Sequence, residues 1–234
     1  MMIESMDLIK TALDKRQRAL SEYTSKQLLR AYGIPVTRET LVQNVTDAVS
    51  AADAIGYPVV LKACSPELMH KTEAACIALG IRDESELREA YQRIVTAIDL
   101  DLEGVLVQEM IAGQREVVLG LSRDPQFGPC VMFGLGGIMT EIINDTVFRV
   151  APFDRIEALD MLSELRSSAI LDDFRGQAAA DSETICTALM ALGQIGLDHG
   201  AVAEIDINPM IIDPAGRVVA VDALVVLGGE QNGQ

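Results

Sequence analysis

Near the C-terminus the run Glu204-Ile205-Asp206-Ile207-Asn208 alternates oxygen-bearing side chains with isoleucines. A period of two is that of a β-strand, whose successive side chains point to opposite faces. One face of this strand must be buried and the other polar, which calls for a sheet covered on one side. Pro209 follows; proline has no N–H for a ladder, so the strand is expected to end there. Asp213-Pro214-Ala215-Gly216 then turns the chain between the strands Met210–Ile212 and Arg217–Asp222. That turn brings Asp222 back alongside Asn208. Oxygen donors in this pattern suit Mg²⁺, which takes few protein ligands and leaves room for waters and phosphate oxygens. Glu204, Asp206, Asn208 and Asp222 are the candidate metal set; a solvated polar face on an edge strand is the alternative.

The rest of the chain alternates helical and strand patterns. Helices are expected over Met6–Arg18, from Thr24 to Gly33, and over Thr46–Gly56, Glu84–Ile98, Ile156–Leu165 and Glu183–Gly196. Thr24 with Gln27 three residues on reads as a capping box. Strands are expected near Thr40–Gln43, Val59–Ala63, Cys76–Leu79, Val105–Met110, Glu116–Leu121, Cys130–Phe133 and Val202–Ile207. The order is mixed α/β, with α/β alternation in the first half and an α+β arrangement in the second. The division falls near Met110–Gly113. It gives an N-terminal helical extension (1–23), a first lobe (24–110), a second lobe carrying the metal candidates (111–228) and a flexible tail (229–234).

Charge narrows the function classes. The formal net charge is −16, which disfavours a nucleic-acid partner because a phosphate backbone needs a basic face. An acidic protein can still bind phosphorylated ligands through a few placed cations, backbone amides and a bridging metal. Apolar content is too high for a disordered chain. Cys64, Cys76, Cys130 and Cys186 form no C-x-x-C pair and sit in apolar stretches, as expected of reduced residues in a cytoplasmic protein. No signal peptide and no membrane span are expected: Glu4, Asp7 and Lys10 interrupt the N-terminus, and no apolar run approaches about 20 residues.

Several residues further along are candidates for phosphate chemistry. Lys62 closes the apolar run Val59-Val60-Leu61, so its ammonium is expected to emerge at a sheet end, where α/β sheets bind ligands. A point charge there suits phosphate; a snorkelling lysine is the alternative. His70, beside Lys71, follows the loop opened by Ser65-Pro66. A neutral imidazole can accept a phosphoryl group, although a lone loop histidine often has no task. Gly134-Leu135-Gly136-Gly137 follows a strand and permits close backbone approach to phosphate oxygens, or makes a tight turn. Glu109 and Glu116 flank the division, Arg149 ends a strand before Pro152, and Arg175-Gly176 follows Asp172-Asp173; each of these also suits a surface ion pair.

Taken together and in order, these segments resemble the ATP-grasp β subunit of ADP-forming acyl-CoA synthetases, with succinyl-CoA synthetase β subunits as more distant relatives. The resemblance is carried by Gly56-Tyr57-Pro58-Val59-Val60-Leu61-Lys62, Ser65-Pro66, His70-Lys71, Val107-Gln108-Glu109-Met110 and Asp124-Pro125-Gln126-Phe127-Gly128-Pro129. It continues through Gly134-Leu135-Gly136-Gly137, Arg149-Val150-Ala151-Pro152, Arg175-Gly176 and Glu204-Ile205-Asp206-Ile207-Asn208-Pro209, and runs from about Thr24 to Leu227. One departure is plain: Ala74-Ala75-Cys76 stand where the family has a glycine-rich end after the histidine.

The resemblance implies an ATP-grasp fold of two lobes with a nucleotide cleft between them. It implies that ATP or ADP and Mg²⁺ are bound, and that Lys62, Glu109, Glu116, Gly134, Gly136, Gly137 and Arg149 serve the nucleotide. Asn208 and Asp222 match the family's Mg²⁺ ligands, with Asp206 or Glu204 in support. His70 matches the histidine that takes the phosphoryl group. The activity implied is an acid–CoA ligase, ADP-forming, of the acetate–CoA ligase type. The partner implied is an α subunit with CoA-binding and ligase domains, in an α2β2 assembly. A nucleotide-sensing subunit without catalysis and an ATP-grasp ligase that uses no phospho-histidine are the two rivals.

Overall fold

The computed structural model describes residues 2–68, 76–137 and 145–228. Packing divides the chain into two units. The larger takes residues 1–20, 24–36 and 111–234, and the smaller takes 21–23 and 37–110. The division at Met110/Ile111 falls where the sequence changes from strand to Ala112-Gly113. Residues 24–36, read from sequence as the start of the first lobe, fold with the C-terminal half instead, because Leu28, Leu29 and Ile34 join its core.

The smaller unit holds β1 (Glu39–Val42), α3 (Val45–Ile55), β2 (Val59–Cys64), β3 (Ile77–Ile81), α4 (Glu84–Ala97) and β4 (Gly104–Glu109). Helix and strand alternate along the chain, yet every pairing is antiparallel, in the order β1-β4-β2-β3. β1 and β2 run the same way, joined by α3, and β4 inserts between them. Both helices start on a local signal: Asn44 accepts from the Asp47 N–H and Asp83 from the Glu86 N–H, each satisfying an orphan donor of the first turn. Ala48, Ala52, Leu87 and Ile94 from these helices cover Val59, Leu61, Ala63, Val105 and Val107.

The larger unit opens with α1 (Met2–Asp14) and α2 (Glu22–Ala31), although the first turn of α2 belongs to the smaller unit. It continues with β5 (Arg115–Asp124), β6 (Gly128–Leu135), β7 (Thr146–Val150), α5 (Arg155–Glu164), a 3₁₀ turn (Ser168–Leu171) and α6 (Ser182–Asp198). It ends with β8 (Val202–Ile212), β9 (Val218–Ala220) and β10 (Leu224–Leu227). The sheet runs β10-β8-β5-β6-β7, with β9 also paired to β8. Its helix-covered face is Val117, Leu119, Leu121, Val131, Phe133, Ile205 and Ile207, packed on α1, α2, α5 and α6. Helix α2 starts at Glu22, so Thr24 lies inside it and not at its N-cap; Ala19 bridges Val226 just before it.

Candidate functional site

β8 does not stop at Pro209. It is one strand of 11 residues with a bulge. Ile207 pairs with Leu119 and Met210 with Val117, so Asn208 and Pro209 together oppose the single residue Val118. The bulge absorbs the residue that cannot donate, and it returns Met210 and Ile212 to the core face occupied by Ile205 and Ile207. Glu204, Asp206 and Asn208 are left on the face turned away from the helices.

The second side of β8 fixes Asp222. Asp206 pairs with Leu224 of β10 and Met210 with Ala220 of β9, in one continuous register. Asn208 and Asp222 are therefore opposite each other, in the interval between the two short strands. The Val221 N–H donates to the Pro209 carbonyl at 3.0 Å and holds that register through the interval. The Ala223 N–H donates to Asp222 Oδ1 at 2.9 Å. Opposed residues of an antiparallel pair share a face. An amide and a carboxylate thus stand together with Asp206 one pleat away, a set of hard oxygen donors that fits Mg²⁺.

Glu204 is separated from this pair. Two residues of strand advance about 6.6 Å, so Glu204 lies about 13 Å from Asn208 along β8, too far to share one ion. Among the described residues no three His, Cys, Asp or Glu side chains are gathered as a metal cage. The arrangement is an oxygen pair contributed from two neighbouring strands; a Mg²⁺ held there would take most of its ligands from water and substrate.

The glycine turn is moulded onto Glu116. A Cβ on Gly136 would come within 2.7 Å of the Glu116 carbonyl carbon, and the Gly136 N–H donates to the Glu116 carbonyl at 2.8 Å. Gly137 has φ +79°, and a Cβ there would meet Glu116 Oε2 at 3.3 Å. Gly134 faces Val118 and Thr146 across the ladder, where a Cβ would sit 2.9 Å from Thr146 Cγ2. The Gly136 amide, expected from sequence to face phosphate, is committed to Glu116. Glu116 pairs with Ile211 and points to the same face as Asn208.

Lys62 is not at a sheet end. β2 runs on through the small residues Ala63 and Cys64, and Lys62 pairs with Leu106 and Ile77 in mid-strand. Its ammonium donates to Glu22 Oε1 at 2.7 Å, with both side chains almost wholly buried. Glu109 ends β4, where its carboxylate accepts from the Arg38 backbone N–H at 2.7 Å and from Arg38 Nε at 2.9 Å. Arg149 pairs with Val131, a helix-face residue, and bonds Glu164 of α5. It therefore lies on the opposite face of the sheet from Asn208, and its bond to Glu164 holds the guanidinium above its ordinary value. His70 lies outside the described residues.

Arg115 and Asp145 are among the buried charged residues that escaped the sequence reading. Arg115, 8% exposed, donates to the carbonyls of Ile170, Asp172, Ala178 and Asp213. Asp145 accepts from the Ser167 hydroxyl and from the Arg166 and Ser167 N–H groups. Burial pushes the Asp145 carboxyl up, but these donors and the Arg166 charge hold it below the ordinary value. Its carbonyl takes the Leu135 N–H at 3.2 Å. Both residues tie the 3₁₀ turn to the sheet end that carries Glu116 and the glycines. Their only local signal is a charge at the edge of an apolar strand.

Known proteins share this architecture. A model of the ATP-grasp domain matches residues 11–227. The β subunit of acetate–CoA ligase (ADP-forming) I from Pyrococcus furiosus is 40% identical over 215 residues, spanning 90% of this chain and 92% of that one. Acetate–CoA ligase (ADP-forming) I from Archaeoglobus fulgidus is 40% identical over 208 residues, which cover 87% of this chain and 30% of that longer protein. A solved structure of the dinucleotide-forming acetyl-coenzyme A synthetase 1 of Candidatus Korarchaeum cryptofilum is similar with a TM-score of 0.84 at 40% identity, covering 96% of this chain and 100% of that one. That structure contains coenzyme A and Mg-AMPPCP, with its phosphohistidine segment pointing towards the nucleotide binding site.

Proposed function

The chain belongs to the ATP-grasp family of β subunits of ADP-forming acetate–CoA ligases, and from that premise we propose how its own residues act. It is the nucleotide-binding part of an acid–CoA ligase that interconverts acyl-CoA, ADP and phosphate with acid, CoA and ATP. The observation that carries this assignment to residues is the opposition of Asn208 and Asp222 on the helix-free face of the large sheet.

Asn208 and Asp222 hold Mg²⁺, with Asp206 in support. The ion supplies charge neutralisation for the phosphoryl group in transfer. Lys62 binds nucleotide phosphate as a point charge. Glu116, with the turn at Gly136 and Gly137 fitted against it, shapes the neighbouring surface of the same sheet. Glu109, held by Arg38, serves the nucleoside end. His70 is the relay: its imidazole nitrogen forms an N–P bond as the N–P bond to a phospho-histidine of the partner subunit breaks, and the His70 N–P bond then breaks as an oxygen of the ADP β-phosphate forms the new P–O bond. Catalysis by the remaining residues is positioning and charge compensation, as phosphoryl transfer requires.

A partner chain supplies the acyl and CoA chemistry. The fused relative, about three times as long, supports this reading: it carries the equivalent of this chain beside further sequence. An α2β2 assembly in the cytoplasm is the form proposed. Among the described residues no helix is long and apolar enough to cross a membrane.

The test is reconstitution. This chain, mixed with a larger subunit that carries the CoA-binding and ligase domains, should form ATP from acetyl-CoA, ADP and phosphate, and neither subunit should do so alone. Full activity of the larger subunit without this chain contradicts the assignment.

A further inference from the structure

Resting on the reading that Lys62 binds nucleotide phosphate, we propose that Glu22 is its positioning residue, the fixed counter-charge that sets the direction of the Lys62 ammonium. Lys62 Nζ donates to Glu22 Oε1 at 2.7 Å, and the two side chains are only 5% and 2% exposed. An ammonium removed from water is costly unless a carboxylate accompanies it, so a lysine in this place depends on its partner. The partner is itself immobilised. Glu22 is the first residue of α2, where the helix N-terminus favours a carboxylate. Its neighbours on both sides lie against the same strand, where the Ser21 side chain and the Tyr23 backbone act on the Cys64 thiol and offset part of the rise that burial causes. Cys64 lies two residues beyond Lys62 on the same face of β2. Residues 21–23 thus form a short clasp along Lys62–Cys64, and they group with the smaller unit although Leu20 and Thr24 do not.

An ammonium has three N–H donors in fixed mutual directions. A carboxylate anchored on one of them therefore orients the others. A carboxylate on a swinging side chain would act instead as a competitor that phosphate must displace. The clasp argues for the first role.

Calorimetric titration of the full 234-residue chain with Mg²⁺–ADP tests this, alongside thermal melting. Lys62→Met should weaken binding about 10- to 100-fold, the worth of one charge-assisted hydrogen bond. Glu22→Gln should weaken it by a similar factor, and Glu22→Asp, which shortens the reach, by a smaller one. The double variant Glu22→Gln/Lys62→Met should bind no more weakly than Lys62→Met alone, since both act through one group. In the reconstituted enzyme Glu22→Asp should raise KM for ADP more than it lowers kcat.

Weak binding by Lys62→Met with parental or tighter binding by Glu22→Gln overturns the role of Glu22 and leaves that of Lys62 intact. Parental binding by Lys62→Met overturns the reading beneath it as well. If Glu22→Gln does not fold, Glu22→Asp decides: a folded protein with unchanged affinity and KM overturns the proposal.

Discussion

Asn208 of β8 faces Asp222 in the interval between β9 and β10, with the Asp206–Leu224 pair on one side and the Met210–Ala220 pair on the other. The bulge that places them works because Pro209 needs no donor there and Val118 opposes two residues at once. Asp222→Asn removes the only charge of the pair and keeps its shape. It should lower Mg²⁺-dependent nucleotide affinity by more than about tenfold, because a ligand counts for at least as much as the outer groups that orient it. Melting without nucleotide should hardly change. Glu204→Gln, about 13 Å away, should leave that affinity unaltered. Equal effects from the two substitutions would remove Asp222 from the metal site.

Gly136 gives a packing prediction. Its missing Cβ is a requirement of Glu116, whose backbone would lie under 3.0 Å from that atom. Gly136→Ala should destabilise the chain by about 1–3 kcal/mol, the usual cost of forcing atoms into a filled place. Gly200→Ala, where nothing lies within 4 Å, is the control in denaturant unfolding. Similar midpoints for the two would show that the close approach is not needed.

Arg115 should prove a stability residue. Its guanidinium gathers four carbonyls from three separate segments. Arg115→Met leaves those carbonyls without their donor and should cost about 2–4 kcal/mol in unfolding free energy. Arg175→Met, at an exposed turn, should cost less than about 0.5 kcal/mol. Urea unfolding of both variants measures the difference.

The second histidine predicts a pH dependence. The Tyr32 hydroxyl donates to Asp198 Oδ2 at 2.8 Å and its oxygen lies 2.9 Å from His199 Nε2, so Nε2 carries the proton and donates to that hydroxyl oxygen. Burial holds the His199 imidazole below its ordinary value, with Asp198 pulling the other way. The unfolded chain takes up a proton near pH 6.5, while the folded chain resists it to lower pH. The stability contributed by neutral His199 is therefore complete above about pH 6.5 and lost as pH falls through that value toward the folded one. His199→Gln should flatten the melting profile between about pH 7 and pH 5. An unchanged profile would show that His199 contributes nothing to it.

How far the fold was legible depended on how local its cause is. The alternation of Glu204 to Asn208 identified a half-buried strand, because two residues suffice to define a face. Its continuation past Pro209 was not legible, because the bulge depends on Val118, some 90 residues earlier. Thr24 and Gln27 imitate a cap inside α2; the helix starts at Glu22 because the preceding residues bridge β10, again a distant cause. Strand order in the smaller unit could not be read for the same reason. The opposition of Asn208 and Asp222 was legible because one turn joins their strands. Lys62 was placed at a strand end because Ala63 and Cys64 extend β2 only when Val105 and Gly104 pair with them. Arg149 resembled a phosphate ligand in type, and only the register shows it turned to Glu164.

The most direct measurement of the account is phosphoryl transfer to the chain itself. The full chain is incubated with Mg²⁺ and ATP labelled at the γ-phosphate, and the modified residue is mapped. Acid-labile, base-stable label is expected on His70, strongly reduced in Asp222→Asn and absent in His70→Asn. Nucleotide bound without any label on the parent chain, or label persisting undiminished in His70→Asn, would contradict it.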